Sequence, residues 1–182
     1  MKFEVVIGSW GSYSSRNERS LGSDWIDLAK YDSWEEIEEE LKKQGFELDG
    51  MDEELFIQDM DFKIDGLSGD NTNPKFLFNI LKTSGVLDND SLAKEMLAYV
   101  EAVSWDDFCD LVEKKGDQWD SDIIFSEGAD SYDWAYDSIQ NSLDKETFSW
   151  LSNYIDFGKY ADDEETNNSF VETSYGIIEF AK

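Results

Sequence analysis

Histidine is absent from this chain, cysteine and proline occur once each, and basic residues are scarce. Each shortage excludes something. Without His there is no Ser-His-Asp triad, no His-ligated metal and no imidazole proton shuttle. A single Cys can form neither an internal disulfide nor a Cys-rich zinc cage. Against 43 Asp and Glu stand only 15 Lys and Arg, a formal net charge of −28 over 182 residues. With a pI near 4.1, such a surface is repelled by nucleic acid and by anionic membranes, so neither is an expected partner. No apolar run approaches the roughly 20 residues of a membrane span. The start, Met1-Lys2-Phe3-Glu4, lacks the basic and apolar regions of a signal peptide. An unpaired Cys without an export signal points to the cytoplasm.

What is present argues for a folded chain. Leu, Ile, Val and Phe make up a quarter of it, and aromatic residues 15%. That apolar content exceeds the roughly 20% below which a highly charged sequence stays disordered. The charge is not a tail. Residues 1–60 carry a net −10, 61–120 a net −7 and 121–182 a net −11. Whatever the acidity serves, it serves along the whole length.

The fold class read from the pattern is α+β, an elongated chain of three small domains with an acidic surface. Residues 1–64 form an α+β domain: strands near 3–7, 24–28 and 55–57 around one helix, with a polar loop over 12–19. Ser33 is that helix's N-cap and Glu36 stands at the capping-box spacing. Trp34, Ile37 and Leu41 share its inner face. Residues 65–118 form a helical middle domain. A turn-rich linker at 65–73 leads to Pro74 at a first helical position. Gly85 ends that helix. Further helices follow near 90–102 and after the cap Ser104, the last stopped by Gly116. Residues 119–182 form a second α+β domain: a strand at 122–125 broken by Gly128, helices near 130–142 and 147–155, an acidic turn over 162–168 and a terminal hairpin of 170–173 and 175–180.

The acids fall into stripes. Glu36, Glu39 and Glu40 lie close to one line on the first helix. Asp106, Asp110 and Glu113 share a face on the helix after Ser104, and Asp130, Asp133 and Asp137 a face on the helix near 130–142. Like charges three or four residues apart repel by a few tenths of a kcal/mol per pair. Solvated helices ordinarily relieve this with interleaved Lys, which is mostly missing here. One reading is a merely soluble surface, or salt adaptation. The other is that the repulsion persists because something basic binds there. B-DNA carries one charge per roughly 1.7 Å, so 28 charges match roughly 48 Å of duplex, or about 14 base pairs, as an upper bound. On that scale the nine stripe residues are candidate phosphate substitutes in a protein that imitates DNA.

Other chemistries find little support. Asp61, Asp65 and Gly66 echo an EF-hand loop, but position 3 is Lys63, which offers no oxygen, and position 12 is Thr72 where the loop needs a bidentate Glu. Acid pairs near Trp suit a glycosidase, yet pairs are unavoidable among 43 acids. No phosphate-binding Gly loop occurs. No cofactor, metal or catalytic residue is expected. Trp25, Trp34, Trp105 and Trp134 read as core, and Cys109 as a buried thiol.

Three stretches resemble one family. Gly22-Ser23-Asp24-Trp25-Ile26-Asp27-Leu28 is similar to a Gly-x-Trp-x-x-Leu strand, and Glu53-Glu54-Leu55-Phe56-Ile57-Gln58-Asp59 to a Glu-Glu-aromatic-x-Ile-x-Asp segment at the matching distance. Asp122-Ile123-Ile124-Phe125-Ser126, running into Asp130-Ser131-Tyr132-Asp133-Trp134-Ala135, resembles a strand and acidic helix. Tyr154-Ile155-Asp156-Phe157 resembles a Tyr-Ile-Asp-aromatic motif, with Phe170 and Gly176 to Phe180 as the closing hairpin. This order resembles the ArdA antirestriction proteins. Asp162-Asp163 stand where that family often has Arg-Asp, and Ala29-Lys30 where it usually has Pro.

The resemblance implies a curved protein of three small domains that dimerises through the C-terminal one. It implies that the homodimer mimics bent B-DNA and fills the DNA groove of the methyltransferase core of Type I restriction-modification enzymes, protecting mobile-element DNA from restriction. No enzymatic activity is expected from the residues, among which no candidate catalytic site stands out. The alternatives are the same mimicry aimed at a CRISPR effector or nucleoid protein, and an acidic module that binds a basic protein without mimicry.

Overall fold

The structure, a computed structural model, describes residues 1–69 and 72–180. Asp70 and Asn71 of the expected linker lie outside them, as do Ala181 and Lys182 at the end of the expected third domain. The fold is α+β, with two small antiparallel sheets among its helices. Its two compact units are Met1–Ala93 with Trp105–Trp119, and Lys94–Ser104 with Asp120–Lys182.

In the first unit, β1 (Glu4–Ser9) is the central strand, flanked by β2 (Ile26–Asp27) and β3 (Leu55–Met60). Val5, Val6 and Ile7 are all buried, as the middle strand of a sheet covered on both faces requires. Val5 pairs with Ile26 on one side and Met60 on the other, and the register with β3 shifts between Val6 and Ile7. β1 runs directly into α1 (Trp10–Ser15), where the Ser9 hydroxyl accepts the Ser12 N–H at 3.3 Å. A 3-10 turn follows at Glu18–Leu21. The polar loop expected over 12–19 is therefore mostly helical. Local caps and the stacking of Trp10 on Phe56, 4.2 Å between centroids, hold it there.

α2 (Trp34–Lys43) buries Trp34, Ile37 and Leu41, as its spacing predicts. Ser33 is the N-cap residue, but its side chain makes no cap bond. Glu36 instead accepts the Asp32 N–H at 2.9 Å. α3 (Pro74–Thr83) starts at the proline, with Asn73 Oδ1 accepting the N–H groups of Lys75 and Phe76 at 2.9 and 3.2 Å. Gly85, at φ 76°, ends it in a conformation that favours glycine. α4 is Asp90–Ala102 and α5 is Trp105–Lys115. The chain continues past Gly116 as a 3-10 segment to Asp122. Within it Trp119 is fully buried, donates its indole N–H to the Ser84 carbonyl at 3.1 Å and meets Phe108 edge-on at 5.0 Å.

The second unit places β6 (Gly176–Phe180) between β4 (Ile123–Glu127) and β5 (Val171–Thr173). Gly176 admits no side chain, since a Cβ there would lie 2.2 Å from the Ser126 carbonyl oxygen. α6 (Ser131–Ser142), α7 (Lys145–Leu151) and α8 (Phe157–Thr166) complete the unit. Its core joins Ala135, Phe148, Phe157, Ala161, Phe170 and Ile177. Phe180 meets Tyr99 of α4 at 6.0 Å, and Glu101 accepts the N–H and hydroxyl of Ser174 at 2.9 and 2.5 Å.

Two further expectations are corrected. The stretch 162–168 is not an acidic turn, because α8 runs through it to Thr166. Asp156 caps that helix, and Phe157 and Ala161 anchor it in the core. Trp25 is half exposed, at 51%, just ahead of the two-residue strand β2; Trp34 and Trp105 are buried and Trp134 is partly buried.

Candidate functional site

The three acidic stripes lie on α2, α5 and α6, each opposite an apolar face that fixes the helix. On α5, Trp105, Phe108, Cys109 and Val112 are buried while Asp106, Asp110 and Glu113 are exposed. Burial pushes the Cys109 thiol up to about 12, and the charges of Asp106, Glu113 and Asp110 push the same way. The thiol thus registers the stripe's negative potential from inside the unit. α3 packs against both α2 and α5, so the first two stripes sit on helices that share a neighbour. The third belongs to the second unit.

Eight of the nine carboxylates are exposed and Glu40 is half-buried. They are not equally free. Glu36 holds the Asp32 N–H. Asp130 is the N-cap of α6, accepting the Asp133 N–H at 2.9 Å. Glu40 accepts from Gln44 Nε2 and Lys43 Nζ, both at 3.3 Å. Those two bonds hold its carboxyl below the usual range. Glu39, Asp106, Asp110, Glu113, Asp133 and Asp137 stand in solvent. Among the described residues, Glu40 is the only one of the nine in an ion pair.

A family model described as antirestriction protein (ArdA) matches residues 5–179, nearly the whole chain. The chain belongs to the ArdA antirestriction family. No curated protein matches it at a significant level. Family membership places the stripes in a chain whose relatives counter restriction.

Two other groups of acids were not singled out by sequence pattern. In the first unit Asp52 is fully buried. It accepts the Ser12 hydroxyl and, at 2.7 Å, the Glu47 N–H, and it faces Arg19 Nε at 3.3 Å. Burial alone would raise its carboxyl. The bonds from Ser12, Glu47 and Ser9, with the Arg19 charge, outweigh burial and hold it low. On α4, Glu95 is half-buried, and burial, with the charge of Asp120, pushes it up to about 7. No local spacing reveals either, because burial arises from contacts distant in sequence. Among the described residues, no helix is long and apolar enough to cross a membrane.

Proposed function

We propose that this protein is a DNA-mimic inhibitor that fills the DNA-binding groove in the methyltransferase core of Type I restriction-modification enzymes and so blocks restriction of mobile-element DNA. The observation that carries the reading is the set of solvent-facing stripe carboxylates, of which one in nine has a cationic partner among the described residues. Membership of an antirestriction family supports the same reading. A basic groove releases condensed ions when it takes up a polyanion, and a folded polyanion exploits the same gain. Long-range attraction speeds and orients docking. In this reading Glu36, Glu39, Glu40, Asp106, Asp110, Glu113, Asp130, Asp133 and Asp137 stand in for phosphates. The imitation divides along the sequence into three domains, 1–64, 65–118 and 119–182, whose boundaries differ from those of the two compact units, and the chain acts as a cytoplasmic homodimer joined through the last. It acts by occupancy, without catalysis, cofactor, nucleic acid or membrane.

The test is inhibition of a purified Type I enzyme across a salt series, with and without duplex competitor. Binding falls steeply with salt, and duplex DNA displaces the protein. A complex indifferent to about 0.5 M NaCl and to excess duplex would overturn the reading. Interference by a CRISPR effector, measured in parallel, stays unaffected; its selective loss would redirect the mimicry to that target.

A further inference from the structure

A cavity of about 510 Å³ opens in the second unit, beside α6 and the paired strands β4 and β6. Asp137 lines it from α6 and Glu179 from β6, with Trp134, Ser138 and Asn141 of α6 and Ser126 of β4. Neither carboxylate forms an ion pair among the described residues. The partly buried Trp134 ring is held in place, stacked 6.0 Å from Tyr160 and tilted against Phe170 at 4.3 Å. The lining therefore combines two negative groups, a fixed aromatic surface, and an amide and hydroxyls able to accept further bonds.

Few ligands satisfy all of these at once. An anion meets two like charges. An apolar ligand desolvates both carboxylates without return. A hard divalent cation seeks six or more oxygen ligands and gains nothing from an indole. A guanidinium pairs with carboxylates in a planar fork, sheds its hydration readily and packs its face on an aromatic ring. Grooves that hold DNA present such groups to phosphates.

We propose that this cavity receives an arginine side chain of the partner, its guanidinium paired with Asp137 and Glu179 and packed on Trp134. The inference rests on the DNA-groove reading for the partner, and it turns one part of a diffuse electrostatic surface into a defined pocket. It also gives Asp137 a role that other stripe residues lack.

The first experiment needs no enzyme. N-acetyl-arginine methylamide is titrated into the protein at constant ionic strength and followed by the indole N–H and α6 amide resonances, with the lysine analogue as control. Saturable shifts centred on Trp134 and Asp137 are expected, about threefold tighter for arginine than for lysine, and abolished in Asp137→Asn/Glu179→Gln. Shifts spread over all acidic helices, or equal for both analogues, would overturn the pocket. The second experiment compares inhibition by that double variant with inhibition by Asp110→Asn/Glu113→Gln, which removes the same charge elsewhere. The cavity variant is expected to inhibit about tenfold less well than this control. Equal inhibition by the two would overturn the partner's use of the cavity. If the wild-type protein inhibits no Type I enzyme, the DNA-groove reading fails, and the arginine titration still decides whether the pocket takes a guanidinium. Both variants are isosteric, and circular dichroism is the check that each is folded.

Discussion

The first unit carries 26 acidic and 11 basic residues, the second 17 and 4. The first meets its acids partly with cations. Lys82 lies between Asp32 and Asp88, at 3.2 and 3.6 Å, Lys30 faces Asp27, and Arg19 reaches the buried Asp52. The second employs aspartates to start helices. Asp130, Asp144 and Asp156 are the N-caps of α6, α7 and α8, each accepting a backbone N–H from the first turn. A carboxylate there satisfies an otherwise orphaned donor and sits at the positive end of the helix dipole. The contrast shows that net charge alone overstates what is available to a partner. Some acids are neutralised and some are built into helix ends. Of the nine proposed phosphate substitutes, Glu40 is paired with Lys43 and Asp130 caps α6, which leaves seven without either engagement among the described residues.

The largest expected effect tests how the imitation is shared among the nine. Changing all nine stripe residues to their amides is expected to weaken inhibition about a thousandfold in a restriction-protection assay. Single changes at the eight stripe residues other than Asp137 are expected to cost about twofold or less. Six changes on α2 and α5 set beside three on α6 divide the loss between the units. If the three alone reproduce it, the first unit takes no part in the imitation.

Asp52→Ala would strike at the first unit's ion network. It strands Ser12, the Glu47 N–H and Arg19 without their shared acceptor and is expected to cost about 3 kcal/mol in urea unfolding. Because the folded carboxyl lies low, its contribution is present above the ordinary Asp range and is lost as pH falls through the depressed value.

Glu95 has the opposite sign. Its carboxyl is raised to about 7, so folding favours the protonated form, and stability declines as pH rises from the ordinary Glu range through about 7. Glu95→Gln is expected to stabilise the protein by about 2 kcal/mol near pH 8 and hardly at all near pH 4, as thermal melts at the two pH values will show.

The smallest effect separates cap from charge in the second unit. Asp130→Ala is expected to cost about 1 kcal/mol, whereas Asp130→Asn, which still caps, costs only a few tenths. Equal losses in thermal melts would mean that the dipole, not the hydrogen bond, holds α6.

Much of the fold was legible wherever local chemistry decided it. The inner face of α2, Pro74 at the start of α3, the span of α4 and the closing hairpin all follow from spacing and turn residues. Local signals misled where distant packing prevailed. The run Asp162-Asp163-Glu164-Glu165 looks like a turn by composition, yet Phe157 and Ala161 tie its helix to Phe170 and Ile177. The residues of α1 look like loop until Phe56 is brought against Trp10. The stripes were readable because one helix supplies each whole set. The cavity was not, because Asp137 of α6 and Glu179 of β6 line it from elements far apart in sequence, which no spacing records.

Cys109 gives the folded state an internal alarm. It is the chain's one cysteine, buried, with a thiol raised to about 12, so near neutral pH almost none of it is the reactive thiolate. Alkylating reagents therefore meet a silent protein until α5 leaves its neighbours. The rate of labelling then measures how often the first unit opens, read directly by mass without any added probe.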